Sequence, residues 1–288
     1  DLHLDCPWLV IKRSCEGYCQ KSKVSLASMK QGRLDVPVFA LYLSDKMQDR
    51  RGPVWSQQAI DRQIDWINQQ PQELKFMGLE GGRLLGNDFQ RLKQLYHIGI
   101  KYLTVTHNYN TSWADSATDV PRHKGLTTFG ISIVDLCNDL GVLLDISHSS
   151  DDTAWAVMNN STKPVIASHS GCRGLVNHPR NLSDKLIRNI AIMGGVVGIP
   201  FARRFIGTYT IADHIDYAVQ LVGPEHVAIG SDLDGAELVD DVKDVSDWGK
   251  VVMDAMTNRG YSDEDIVAIA GENALRLLER STKNVETS

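Results

Sequence analysis

Basic clusters, paired cysteines and long apolar runs are all missing from this 288-residue chain. Acidic residues outnumber basic ones, 36 to 30, for a net charge of −6. Such a chain is poorly made for gripping a phosphate backbone, and nucleic acid is not an expected partner. Single basic residues can still bind small anions inside a pocket. The five cysteines, Cys6, Cys15, Cys19, Cys137 and Cys172, are odd in number. Cys15 and Cys19 have no matching second pair, so neither a disulfide scaffold nor a structural zinc knuckle is expected. Scattered reduced thiols point to a cytoplasmic protein. No apolar run approaches the roughly 20 residues that span a bilayer, so no membrane segment is expected. Neither a signal peptide nor a lipid anchor is visible. The chain does begin almost inside its first strand and without Met, which leaves room for a removed upstream segment.

What is present is a rhythm. Eight short apolar runs recur: "LHLDC", "VFALYLS", "LKFMGLEG", "KYLTVTHN", "VLLDISHS", "PVIASHS", "GVVGIPF" and "HVAIGSD". They are rich in Val, Ile and Leu, as parallel strands buried on both faces should be. Amphipathic segments fall between them. "SQQAIDRQIDWINQQ" sets Ile60, Ile64 and Ile67 on one stripe. "NDFQRLKQLYHIG" opens on an Asn cap and stops at Gly99. Eight strands alternating with helices predict a single (β/α)8 TIM-type barrel domain over residues 1–288. An open doubly wound sheet usually carries a glycine fingerprint after its first strand, and "CPWLVIKRSCEG" has none. The stretch 12–36 reads as a long loop near the barrel mouth.

Polar residues gather at the carboxyl ends of these strands, where barrels of this kind do their chemistry. His3 and Asp5 stand on strand one, Glu80 on strand three, His107 on four, His148 on five, His169 on six and Asp232 on eight. A lone strand-end histidine is more often a hydrogen-bonded core residue than a ligand. Glu80 alone could cap a helix, and Asp232 alone could be structural. Convergence weighs the other way, because a closed barrel puts all of them on one rim, where unrelated buried polar groups would be costly to desolvate. A pair of metal ions would satisfy them. Imidazole and carboxylate donors suit zinc. His3 and Asp5 would hold one ion, His148 and His169 the other, and Glu80 would bridge them. Two such ions, about 3.5–4 Å apart, can share a hydroxide.

The stretches "HLDCPW", "GLEGG", "YLTVTHNYNTSWADS", "DISHSS", "VIASHSGCRGLVNHPRN", "MGGVVGI" and "HVAIGSDLDG" run in order along the chain, and "GENALRLLE" follows them. In these the chain resembles the membrane dipeptidase (renal dipeptidase) family, zinc peptidases of the metal-dependent amidohydrolase superfamily. The resemblance implies that His3, Asp5, Glu80, His148 and His169 are ligands of two Zn2+ ions, with Glu80 bridging. It implies that His107 polarises the scissile carbonyl and steadies the oxyanion. Arg180 of "HPRN" would contact the substrate, either at its terminal carboxylate or near the intermediate. Asp232 would carry the proton, with Asp234 as the competing choice. The implied reaction is hydrolysis of dipeptides, including those ending in a D-residue, by a metal-bridging hydroxide, in a possible homodimer. A lactonase, deaminase or phosphotriesterase on the same scaffold is the alternative, and a non-catalytic barrel is a further one. Such relatives often bridge their ions with a carboxylated lysine on strand four, where only Lys101 occurs, away from the rim. Arg203 and Arg204 could add anion binding or face water. Asp115 could shape the pocket or cap a helix.

Overall fold

The computed structural model describes residues 1–16, 21–70 and 75–280, with the side chains of 13–16 left aside. Five strands, β1 (Val38–Tyr42), β2 (Phe76–Glu80), β3 (Ile100–Thr104), β4 (Leu143–Asp145) and β5 (Val165–Ile166), pair in parallel in chain order. β6 (Val197–Ile199) and β7 (Val227–Ile229) form a second parallel pair. Isolated parallel bridges join the two sets. Ala167 pairs with Val197, and Leu4 pairs with both Phe39 and Leu233. The Leu4 N–H donates to Val38 and the Asp5 N–H to the carbonyl of Leu233. Residues 2–5 are therefore the eighth stave of a (β/α)8 barrel, held on both sides. This stave is shorter than its apolar run suggests. Pro7 cannot donate to a ladder, and a helix begins at once at Cys6.

At the amino-terminal ends of the staves, Leu2, Val38, Tyr102, Leu143, Ile166, Val196 and Ala228 form one buried cluster. Ala274, Leu277 and Leu278 from the last helix pack onto it and seal that end. The larger apolar cluster lies between staves and helices. With one end sealed by hydrocarbon, polar groups inside the ring can face water only at the other.

The stretch 12–36 is not simply a loop. It contains the end of α1 (Cys6–Glu16) and α2 (Leu26–Gln31). Trp8, Leu9 and Ile11 bury one face of α1, which packs against β1 and α3 (Asp45–Asn68). That burial overrides an unpromising local sequence. α3 also starts earlier than its periodicity suggests, with a break at Gly52, whose φ is +80°. In α4 (Phe89–Ile98) the cap is Asp88, not Asn87, and its side chain accepts from the Gln90 N–H. α5 (Thr128–Leu140), α6 (Asp151–Asn160), α7 (Asp184–Ile192), α8 (Arg203–Ile206) and α9 (Ile211–Val222) follow their strands in turn. Cys6, Cys137 and Cys172 are free and buried, while Cys19 and the Cys15 side chain lie outside the described residues. No described helix is long and apolar enough to cross a membrane.

Candidate metal centre

The register of the ring dictates what meets at its open end. The bridge at Leu4 turns His3 and Asp5 to the side opposite the Leu4 side chain. Glu80 is the last residue of β2, pairing with Thr104 across the ladder. His148 and His169 follow β4 and β5, and Asp232 follows β7. His148, Asp232 and Asp234 have φ of +70°, +60° and +71°. Non-glycine residues pay for that conformation, so its appearance three times on one rim marks a constrained site.

One oxygen organises the cluster. Glu80 Oε1 lies 3.5 Å from His3 Nε2, 3.1 Å from His148 Nε2 and 3.5 Å from His169 Nε2. The His148 and His169 Nε2 atoms are 3.0 Å apart. Asp5 Oδ2 is 3.5 Å from His3 Nε2. All five residues expected as ligands are buried, and all five meet. Two further groupings extend the set: Asp232 converges with His3 and His169, and His107 with Glu80 and His148.

The surroundings fix which nitrogen faces the centre. Tyr102 donates its hydroxyl hydrogen to the Leu2 carbonyl at 3.0 Å and sits 2.8 Å from His3 Nδ1. The tyrosine oxygen is thus the acceptor for an Nδ1–H, and His3 Nε2 is turned inward. Ser168 does the same for His169. Its hydroxyl donates to Asp145 Oδ2 at 2.6 Å and contacts His169 Nδ1 at 2.8 Å. Asp145 is itself held by Thr104 and by the N–H groups of Ser147 and Ser168. Tyr102 fits because residue 78 is glycine, where a methyl group would overlap the phenol ring.

Among the described residues, His3 Nε2 and Asp5 Oδ1 are buried without a hydrogen-bond partner. A buried imidazole nitrogen with no hydrogen-bond partner, 3.5 Å from both Asp5 Oδ2 and Glu80 Oε1, in a set of nitrogen and oxygen ligands alone, fits a cation. The electrostatics agree. Burial opposes ionisation of Glu80, yet His3, His148 and His107 outweigh it and hold the carboxyl well below its usual range. Burial would likewise lower His3, but Tyr102, Glu80 and Asp5 raise it well above the ordinary imidazole value. Burial drives His148 and His169 well down. Asp232 is pushed well up by burial and then by the Asp5 charge.

A cavity of about 370 Å³ opens over the cluster, the size of a small-molecule site. Asp5, Glu80, His107, His148 and Asp232 line it, together with Trp8, Tyr42 and Arg204. His107 Nδ1 is 3.2 Å from Asp45 Oδ2, a residue not singled out in the sequence. Arg180 is buried behind this wall, its guanidinium 5.0 Å from the centre of the Phe205 ring. Its Nε has no partner among the described residues, and Nη2 donates to the His169 carbonyl at 3.4 Å. Burial lowers its pKa to about 10 against the pull of Asp232, Glu80 and Asp145. Asp115 caps no helix. Its carboxylate collects the N–H groups of Arg122, His123 and Gly125 and pins the loop after β3.

Tyr102, Asp145, Ser168, Asp45 and Gly235 are the site residues that sequence reading missed. Asp145 had a signal, a carboxylate inside the apolar run "VLLDIS". Gly235 sits against the site, where an added methyl would overlap Asp5 Oδ2 and Asp232 Oδ1. Gly235→Ala should keep the fold and lose activity by about 100-fold, since small displacements of reacting groups cost that much. Turnover measured beside a melting curve checks this.

Residues 64–288 match the family described as membrane dipeptidase (peptidase family M19). Dipeptidase verJ of Clonostachys rogersoniana is 37% identical over 210 residues, covering 70% of this chain and 54% of that protein. Dipeptidase 3 of Mus musculus is 28% identical over 284 residues, covering 89% and 57%. The chain thus spans under two thirds of the length of these curated relatives. A metallo peptidase from Rhodobacter sphaeroides, solved with a phosphinate mimic of the dipeptide L-Ala-D-Ala, superimposes with a TM-score of 0.86 at 22% identity over 98% of both chains. That likeness is one of fold, the barrel described above. The sequence match over most of its length places the chain in the membrane dipeptidase family.

Proposed function

We propose that this protein is a binuclear zinc dipeptidase. One observation carries the reading: three imidazole Nε2 atoms surround a single Glu80 oxygen, with neighbouring donor atoms buried and unpartnered. His3, Asp5 and Glu80 would hold one ion, and Glu80, His148 and His169 the other. When bound, the zinc supplies Lewis acidity for activating water and polarising an amide carbonyl.

The chain's own residues do the rest. Asp232, buried on the rim beside Asp5, carries a proton to the amide nitrogen as it leaves. Asp45 holds the His107 ring through Nδ1. This leaves His107 Nε2 for the scissile carbonyl oxygen, to which it donates when the ring is protonated. Arg180, buried beside His169 with an unpartnered Nε, would reach the substrate from beneath the cavity wall, at its terminal carboxylate or near the intermediate. Trp8 and Tyr42 form part of the cavity wall. No side chain in these roles demands an L-residue at the leaving end, and D-residues are accepted there as well.

The alternative hydrolases are disfavoured by Lys101. Its ammonium lies over the Phe76 ring at 5.9 Å, at the amino-terminal end of β3, and it cannot serve as a bridging carbamate on the rim. A panel of dipeptides, lactones and phosphotriesters, assayed with zinc and then with chelator, tests the proposal. Dipeptide turnover abolished by chelation is expected. Turnover of a lactone or phosphotriester with none of any dipeptide would overturn it.

A further inference from the structure

α8 presents three consecutive side chains in three directions. Arg203 turns away from the site, where Asp240 grips it bidentately and Glu237 Oε1 lies 3.5 Å from its Nε. Phe205 is buried and carries the Arg180 guanidinium on its ring. Arg204, between them, lines the cavity over the metal centre. Among the described residues it has neither a hydrogen bond nor an ion pair.

The acidic groups near Arg204 are already engaged. Asp234 accepts from the Ser22 hydroxyl at 2.6 Å and the Lys23 N–H at 2.9 Å. Glu237 faces Arg203. Asp5, Glu80 and Asp232 belong to the metal cluster. Burial first, and then the nearby charges of Arg180, Arg204 and Arg173, disfavour protonation of His178, so Arg204 is one of three cations grouped around that imidazole. An unneutralised guanidinium on the wall of a substrate cavity, with a second one behind the same phenyl ring, is suited to a ligand with two negative groups.

We infer that Arg204 is a specificity determinant that selects dipeptides whose carboxyl-terminal residue bears an acidic side chain. This rests on the dipeptidase reading. Arg204, on the cavity wall next to Phe205, takes the side-chain carboxylate of that residue, while Arg180 stays buried over the Phe205 ring. Glutamine has the shape of glutamate without its charge, so Ala-Glu against Ala-Gln isolates the ionic contribution.

The test is kcat/KM for Ala-Glu and Ala-Gln with the zinc-loaded full chain. Wild type should prefer Ala-Glu by about tenfold, the effect of one close charge pair. Arg204→Gln should bring that ratio to about one, and Arg204→Glu should invert it. Arg203→Gln, whose partner is Asp240, should keep it. A ratio near one in wild type, or a preference that survives Arg204→Gln, overturns the inference while leaving the dipeptidase reading intact. Absence of turnover of any dipeptide overturns that reading and the inference together.

Discussion

Replacing Glu80 by glutamine should abolish dipeptide hydrolysis, by about 1,000-fold or more, and strip metal from the protein. The reason is geometric and electrostatic together. A single oxygen of Glu80 stands within 3.5 Å of three imidazole nitrogens. Its charge is the one that the surrounding histidines hold in place against full burial. Glutamine keeps the shape and removes the charge, and its amide cannot bridge two cations as a carboxylate does. Removing one partner from a buried charged cluster leaves the others uncompensated, which costs more than the pair itself contributed. Metal analysis beside the activity assay checks both halves. A variant that retained full metal and near-normal turnover would show that Glu80 bridges nothing.

Asp232→Asn should lower kcat by about 1,000-fold, in the range expected for loss of a positioned acid–base group, while the protein keeps its metal. Its carboxyl is buried beside Asp5, and its backbone is locked at a φ of +60°. Those features suit a group that takes up and gives back one proton. The competing residue, Asp234, behaves differently. It ties residues 22 and 23 to the rim, so Asp234→Asn should cost less than about tenfold, by weakening two hydrogen bonds. Measuring kcat, KM and metal content for both variants separates the roles. Loss of metal on Asp232→Asn would make Asp232 a ligand, consistent with its convergence on His3 and His169; a larger loss for Asp234→Asn would reverse the assignment.

Much of this was legible in the chain. The staves follow the apolar runs because strands buried on both faces need uninterrupted Val, Ile and Leu, and the rim residues follow because a closed ring leaves polar groups only one wet end. All five expected ligands meet around Glu80 for that reason. Other features depend on contacts between distant segments. α1 forms because Trp8 and Ile11 find β1 and α3 to pack against, which no local pattern in "CPWLVIKRSCE" declares. Tyr102 reads as an ordinary strand aromatic until Gly78, on the neighbouring strand, makes room for its ring beside His3. Ser168 and Asp145 lie 23 positions apart, and their pairing depends on the register between β4 and β5. Arg180 and Arg204 are indistinguishable in composition. Only the fold shows one stacked behind Phe205 and the other facing the cavity.

The most direct measurement is anomalous scattering at the zinc edge from crystals of the zinc-loaded protein. Two peaks about 3.5–4 Å apart, both touched by Glu80 and divided between His3 with Asp5 and His148 with His169, are the expected result. A single ion, or a pair that Glu80 does not touch, would contradict the binuclear centre on which the proposed chemistry stands.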